Sequence, residues 1–196
     1  MSYLESSAGD LSNNRNSPTT LTLSVGDNVI DGNHGAGDLD YVAVTLPANV
    51  ILEQIIVDPT TTFAGTRSFI GVAAGPTMPV DPANPQVNLL LGYAHFDFGS
   101  LGADILAEIG LGGGSQMFIP PLGAGAVRTY TFWIQETGTT TAHYKFNFKT
   151  RSTANVPELG TAGFLALAGA LGWLGIRRAR RLGKDQTHGS RFRLPY

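Results

Sequence analysis

The sequence predicts a mainly β protein, an antiparallel β-sandwich of jelly-roll type followed by a single C-terminal transmembrane helix. Three observations lead to this prediction. Apolar and polar residues alternate in short runs, as they do in half-buried strands. The 196 residues include 25 glycines and 11 prolines, which favour turns between such runs. Residues 159–176 contain no charged side chain and are followed at once by arginines.

One domain over residues 17–150 accounts for the strand-like runs, with residues 1–16 as its start or as an N-terminal extension. The predicted strands are 20–25, 41–46, 51–57, 68–74, 89–96, 128–135 and 143–149. Helical periodicity is scarce and supports one short helix, residues 103–109.

The last two runs carry the clearest alternation. Aromatic and aliphatic side chains occupy every second position, so they should face one core. They are Tyr130, Phe132, Ile134, Tyr144, Phe146 and Phe148. The link 136–142, with Gly138 among threonines, predicts that the two strands form a hairpin.

Residues 159–176 are predicted to cross a membrane. As a helix they would span about 27 Å, close to the ~30 Å hydrocarbon thickness of a bilayer. Positive charge next to such a helix stays on the cytoplasmic side, so residues 177–196 should form a basic cytoplasmic tail. The basic cluster is Arg177, Arg178, Arg180 and Arg181. The alternative is a buried helix of a soluble domain, but glycine and alanine are commoner in membrane helices.

Charge is distributed unevenly along the chain. Residues 177–196 carry seven basic and one acidic residue, a net charge of +6, whereas the other residues carry six basic and fourteen acidic residues, −8. An acidic body argues against nucleic-acid binding, and the basic tail suits anionic lipid headgroups. The chain has no cysteine, so disulfides and thiolate metal sites are excluded.

A short polar motif precedes the apolar segment within the linker 151–158. It comprises Val156, Pro157, Glu158, Gly160 and Thr161. Together with the apolar run and the arginines, it resembles the PEP-CTERM sorting tails of exported bacterial proteins, although Leu159 stands where the usual motif has a second proline. The resemblance implies an exosortase-like processing enzyme as partner. It also implies an inner-membrane protein whose domain reaches the periplasm, the cell surface or the extracellular matrix, where polysaccharide is a partner.

The amino terminus lacks the basic and apolar regions of a secretory signal peptide. Export therefore leads us to expect a leader encoded upstream of Met1, or insertion from the C-terminal helix alone.

Acidic residues near predicted strand ends suggest a cation site. Asp38 and Asp40 flank one residue before a strand, and Asp10, Asp27 and Asp31 lie in predicted loops that a sandwich could bring to the same end. Oxygen ligands in irregular geometry suit calcium. The alternative is that aspartate simply favours turns.

Residues 5–148 also resemble the bacterial pre-peptidase C-terminal domain, a small β-sandwich. The matching stretches are SPT at 17–19, GDLDYVAV at 37–44, PAN at 47–49 and TYTFWI at 129–134. Residues 71–125 are longer than the family pattern. The resemblance implies calcium at the Asp38–Asp40 turn, with Glu5 or Asp10 as a further ligand.

No catalytic arrangement is visible in the sequence. The histidines His34, His95, His143 and His188 lack the spacing of a zinc protease, and 110–114 lacks the third glycine of a dinucleotide loop. We therefore predict a non-enzymatic surface or matrix-associated protein.

The alternative function is a carbohydrate- or calcium-binding accessory module. Trp133 and Tyr130 would stack on sugars if they were exposed, although alternating strand aromatics are more often buried in a core.

Overall fold

The computed structural model describes residues 1–35, 37–113, 117–126 and 128–154, and within them nine strands form two sheets. The strands are β1 Ser2–Leu4, β2 Thr19–Thr22, β3 Gly26–His34, β4 Asp40–Thr45, β5 Val50–Val57, β6 Ser68–Ala74, β7 Gly92–Phe96, β8 Thr129–Glu136 and β9 Ala142–Ser152. The helices are α1 Glu5–Ala8 and α2 Leu106–Gly112, and single 3₁₀ turns lie at Val87–Leu89 and Phe98–Ser100.

The two sheets have the strand orders β1-β3-β9-β5 and β2-β4-β8-β6-β7. We call them the four-stranded and the five-stranded sheet. Most neighbours are antiparallel, but β1 pairs with β3 in parallel and β2 pairs with β4 in parallel. The prediction of purely antiparallel pairing is therefore wrong at these two sheet edges. A parallel pair needs a long crossover, and residues 5–25 and 23–39 supply one for each pair.

The two sheets pack face to face, as in a β-sandwich. Phe132 of β8 meets Phe148 of β9 with ring centroids 5.1 Å apart, and Phe96 of β7 meets Phe146 of β9 at the same distance. All six side chains that the alternation predicted to be buried, from Tyr130 to Phe148, have at most 4% of their surface exposed. That prediction is confirmed.

The predicted hairpin between the last two strands is wrong. β8 lies between β4 and β6, whereas β9 lies between β3 and β5 in the other sheet. The link between them crosses the sandwich and is held by Glu136, whose carboxylate accepts hydrogen bonds from the amides of Ala64 and Gly138 and from the Ser68 hydroxyl. Burial works to raise the pKa of Glu136, but these hydrogen bonds outweigh it and lower the pKa.

β3 was not predicted, because its sequence GDNVIDGNH resembles a turn. It pairs with β9 over its whole length, and its alternate residues Asn28, Ile30, Gly32 and His34 are buried. β1 and α1 were also not predicted, and α2 ends three residues beyond the predicted helix 103–109.

The outer face of the five-stranded sheet is covered by residues 75–91. A second apolar cluster forms there from Tyr41, Ala73, Met78, Val80, Leu90 and Trp133. Trp133 is therefore buried on the outer face of β8, 5% exposed, whereas Tyr130 is buried in the main core.

Among the described residues no helix is long and apolar enough to cross a membrane. The predicted span 159–176, the sorting motif and the basic tail lie outside the described residues.

Candidate functional site

Three carboxylates meet where β3 ends and β4 and β9 begin. One carboxylate oxygen from each of Glu5, Asp10 and Asp40 lies within 4.8 Å of the others. We call this group the acidic cluster. Three of the four residues predicted as calcium ligands from the sequence are thus brought together, although they come from α1, the segment after it, and the start of β4.

Glu5 connects the amino-terminal segment to β3. Its Oε1 accepts a hydrogen bond of 3.1 Å from the Leu11 amide, and its Oε2 accepts one of 2.7 Å from the Asn33 amide. Burial raises the pKa of Glu5, and these two amides oppose the rise. Leu11 is 1% exposed, so its packing in the core fixes the segment that carries Asp10.

Asp40 is the buried member of the cluster, with none of its surface exposed. Neither of its carboxylate oxygens has a hydrogen bond of normal geometry to any group in the described part of the chain. Burial raises the pKa of Asp40 to about 8, and Glu5 adds to the rise. A buried, unpaired carboxylate is costly, so this position is stabilised by a proton or by a cation.

Tyr144 and Gly32 complete the surroundings of Asp40. The Tyr144 hydroxyl lies beside Asp40 and favours its charged form, yet it has no hydrogen-bond partner of normal geometry among the described groups. Burial raises the pKa of Tyr144 well above its usual value, and Asp40 and Glu5 raise it further. A Cβ on Gly32 would come within 2.8 Å of both the Tyr144 hydroxyl and Glu5 Oε1, so only glycine leaves room for this carboxylate.

Gly32 and Tyr144 were not predicted from the sequence as part of this site. A glycine at a buried strand position is a signal of close approach, but that signal was hidden because β3 itself had not been predicted.

Asp38 lies next to the acidic cluster but is not one of the three convergent carboxylates. Its amide donates to the Gly35 carbonyl at 3.2 Å, which closes the turn before β4. Burial raises its pKa, with a further contribution from Asp10. Asp38 therefore adds negative charge near the cluster without belonging to it.

Two other predicted acids lie elsewhere. Asp27 and Asp31 belong to β3 and not to loops, and they alternate with its buried residues. Asp31 Oδ1 lies 2.9 Å from His143 Nε2, and Asp27 Oδ1 accepts a hydrogen bond from the side-chain Nδ2 of Asn147. The expectation that these two acids reach the same end as Asp38 from loops is wrong, because β3 extends through them.

The spacing and chemistry of the acidic cluster fit a calcium ion. Calcium binds oxygen ligands at about 2.3 to 2.6 Å, so oxygens on opposite sides of one ion are at most about 5 Å apart. The observed 4.8 Å limit satisfies this condition. Glu5, Asp10 and Asp40 would hold the ion, which would supply the positive charge that Asp40 lacks.

The described histidines occupy separate environments. His34 is fully buried between Tyr144 and Phe96, its two ring nitrogens have no partner in the described residues, and burial lowers its pKa to about 4. It is therefore neutral at pH 7. His143 faces Asp31, and His95 is exposed on β7. His188 lies outside the described residues.

Comparison with known proteins adds no assignment. No family model matches the chain, and no curated protein matches it. Both sequence resemblances therefore stay expectations.

Proposed function

We propose that this chain is a non-enzymatic surface protein whose β-sandwich, of the jelly-roll-like pre-peptidase C-terminal kind, binds one calcium ion at the acidic cluster. The observation that carries the proposal is Asp40, which is fully buried beside two further carboxylates and whose two oxygens accept no hydrogen bond of normal geometry from the described residues. An ion there would join the amino-terminal segment to β4 and so stabilise the folded domain. Burial of Tyr130 and Trp133 supports this structural role over a site in which sugars stack on the faces of those two rings.

The C-terminal segment gives the proposed location. The motif at residues 156–161, the uncharged run 159–176 and the arginines after it support a membrane anchor that an exosortase-like enzyme recognises. In this proposal the domain is exported to the cell surface or the extracellular matrix, and residues 177–196 stay in the cytoplasm.

Calcium should raise the melting temperature of the full chain. Ligand that binds only the folded state stabilises it by mass action, and sites of extracellular modules are half-saturated at about 0.1 to 1 mM. Millimolar calcium should therefore raise the melting temperature by several degrees, measured by differential scanning calorimetry in detergent. Glu5→Gln should remove most of this rise, whereas Asp38→Asn should reduce it only partly.

Glu108→Gln is the matched control, because Glu108 is an exposed residue of α2. It should respond to calcium as the natural chain does. Equal calcium responses of Glu5→Gln and Glu108→Gln would refute the proposed ligand role.

The anchor is tested by cell fractionation. Arginine in the middle of a membrane helix costs about 2.5 to 3.5 kcal/mol on insertion scales. Exchange of both Leu167 and Leu171 for arginine should therefore move the protein from the membrane fraction to the soluble fraction, whereas exchange of both for isoleucine should not. A natural chain that stays soluble without detergent would contradict the anchor.

A further inference from the structure

We propose that a cavity on the outer face of the five-stranded sheet binds a ring of a neutral saccharide through its aromatic wall and its uncharged polar groups. This proposal deepens the matrix association above by naming the class of matrix partner, and it uses none of the calcium ligands. The cavity measures about 380 Å³, within the ~300 to 1,000 Å³ range of ligand pockets.

Strand register creates the cavity. On the outer face, Phe69 of β6 lies between Gln135 of β8 and His95 of β7 in one row across the sheet. In the next row Gly71 lies between Trp133 and Tyr93. Since Gly71 has no side chain, the Phe69 ring leans over it, 3.0 Å from where a Cβ would be. The Phe69 ring therefore lies close to the sheet over Gly71, between Trp133 and Tyr93.

The aromatic residues form a continuous wall around Phe69. Its ring is nearly parallel to that of Tyr93, with an angle of 27° and centroids 5.9 Å apart. Trp133 and His95 meet the same ring edge to face at 4.8 and 5.7 Å. Pro82, Pro85 and Val87 line the cavity from the covering segment 75–91. Stiff rings of this kind lose little conformational freedom when a ligand binds.

The cavity has no permanently charged side chain. None of its nine lining residues is aspartate, glutamate, lysine or arginine, although the body of the chain is acidic. The Tyr93 hydroxyl and the side-chain amide of Gln135 make no hydrogen bond to the described residues. Both can therefore bind ligand hydroxyl groups.

Trp133 is an independent observation in favour of a ligand. It is 5% exposed and lines the cavity, yet its indole N–H has no acceptor in the described part of the chain. A buried donor without a partner costs about 1 to 3 kcal/mol. A ligand oxygen within hydrogen-bond distance of this N–H would remove the cost.

These features together match a pyranose ring. Its axial C–H groups form apolar patches that pack on aromatic faces, and its rim carries hydroxyls that donate and accept hydrogen bonds. An anionic saccharide would find no lysine or arginine among the lining residues, and a purely apolar ligand would leave the Trp133 N–H unpaired.

The test is binding of neutral oligosaccharides to the full chain in detergent. Cellotetraose, maltotetraose and triacetylchitotriose serve as probes, and the indole N–H resonance of Trp133 serves as the local readout. The chain has two tryptophans, so Trp173→Phe assigns the signal. At least one probe should shift the Trp133 resonance, and Tyr93→Ala should weaken its binding at least tenfold.

Phe98→Ala is the control, because Phe98 is 65% exposed and does not line the cavity. It should bind the probe as the natural chain does. Trp133→Phe keeps an aromatic ring, although a smaller one, and removes the indole N–H, and it should weaken binding while circular dichroism shows an unchanged fold.

Three results would overturn the proposal. The first is that no probe binds at millimolar concentration, and the second is that Tyr93→Ala and Phe98→Ala bind equally well. The third is that a proline-rich peptide shifts the Trp133 resonance but no saccharide does. All titrations are repeated with excess chelator, so a failed calcium site would leave this test intact.

Discussion

Without calcium, Asp40→Asn should become more stable than the natural chain as pH rises, by on the order of 4 kcal/mol between pH 4 and pH 8. Burial raises the pKa of Asp40 from 3.8 to about 8 in the folded state. The folded protein therefore holds a proton that the unfolded chain releases. Stability from this proton is present below pH 4 and is lost as pH rises through 8.

Most of the groups that face Asp40 also raise its pKa. Glu5, Asp38 and Asp10 are acids and raise its pKa further, and only the Tyr144 hydroxyl opposes them. His34 acts oppositely, because its pKa of about 4 makes the protein lose stability as pH falls below 6.5. Since His34 is present in both proteins, its contribution cancels when the variant is compared with the natural chain at each pH.

The measurement is urea unfolding in chelator at several pH values. Glu108→Gln should run parallel to the natural chain. Calcium at pH 8 should raise the free energy of unfolding of the natural chain but leave that of Asp40→Asn unchanged. The reason is that the ion supplies the missing positive charge only where the Asp40 carboxylate is present. Parallel pH curves for Asp40→Asn and the natural chain would disprove the buried, unpaired state of Asp40.

Phe146→Ala should lower the free energy of unfolding by about 3 to 5 kcal/mol. Phe146 is fully buried between the sheets and touches the rings of Phe96, Tyr144 and Phe148. Its removal would leave a cavity at the centre of the core, where rigid neighbouring strands cannot close it.

Lys149→Ala is the control on the same strand. The Lys149 side chain is 46% exposed and its ammonium lies 3.9 Å from Asp27, so its loss should cost about 0.5 kcal/mol or less. Chemical denaturation in calcium measures both variants. A cost below about 1 kcal/mol for Phe146→Ala would contradict the face-to-face packing of the two sheets.

Seven of the nine strands in the described residues could be predicted from sequence, but strand partners could not. The alternation at Tyr130–Ile134 and Tyr144–Phe148 identified the buried faces correctly, because a face that contacts the core needs apolar side chains at every second position. Which sheet a strand joins depends on long-range pairing, and the short link between β8 and β9 favoured a hairpin that does not form. β3 was missed because its inward positions are filled by asparagine, glycine and histidine as well as isoleucine.

The acidic cluster could be predicted in part. Asp40 and Asp10 stood out because carboxylates collected near predicted strand ends, whereas Glu5 was implied only by the resemblance to the pre-peptidase C-terminal domain. The buried surroundings of the cluster could not be predicted, because Gly32 and Tyr144 come from strands that meet only in the folded protein. The aromatic cavity was hidden for the same reason, since Phe69, Tyr93 and Trp133 lie on three different strands.

The central claim is that the acidic cluster binds calcium, and the most direct test is the number of calcium ions bound per chain. Equilibrium dialysis of the full chain in detergent against radioactive calcium at pH 8 gives this number. We predict one ion per natural chain, one per Glu108→Gln chain and none per Asp40→Asn chain. Binding by Asp40→Asn equal to that of the natural chain, or no bound calcium in the natural chain at millimolar concentration, would contradict the claim.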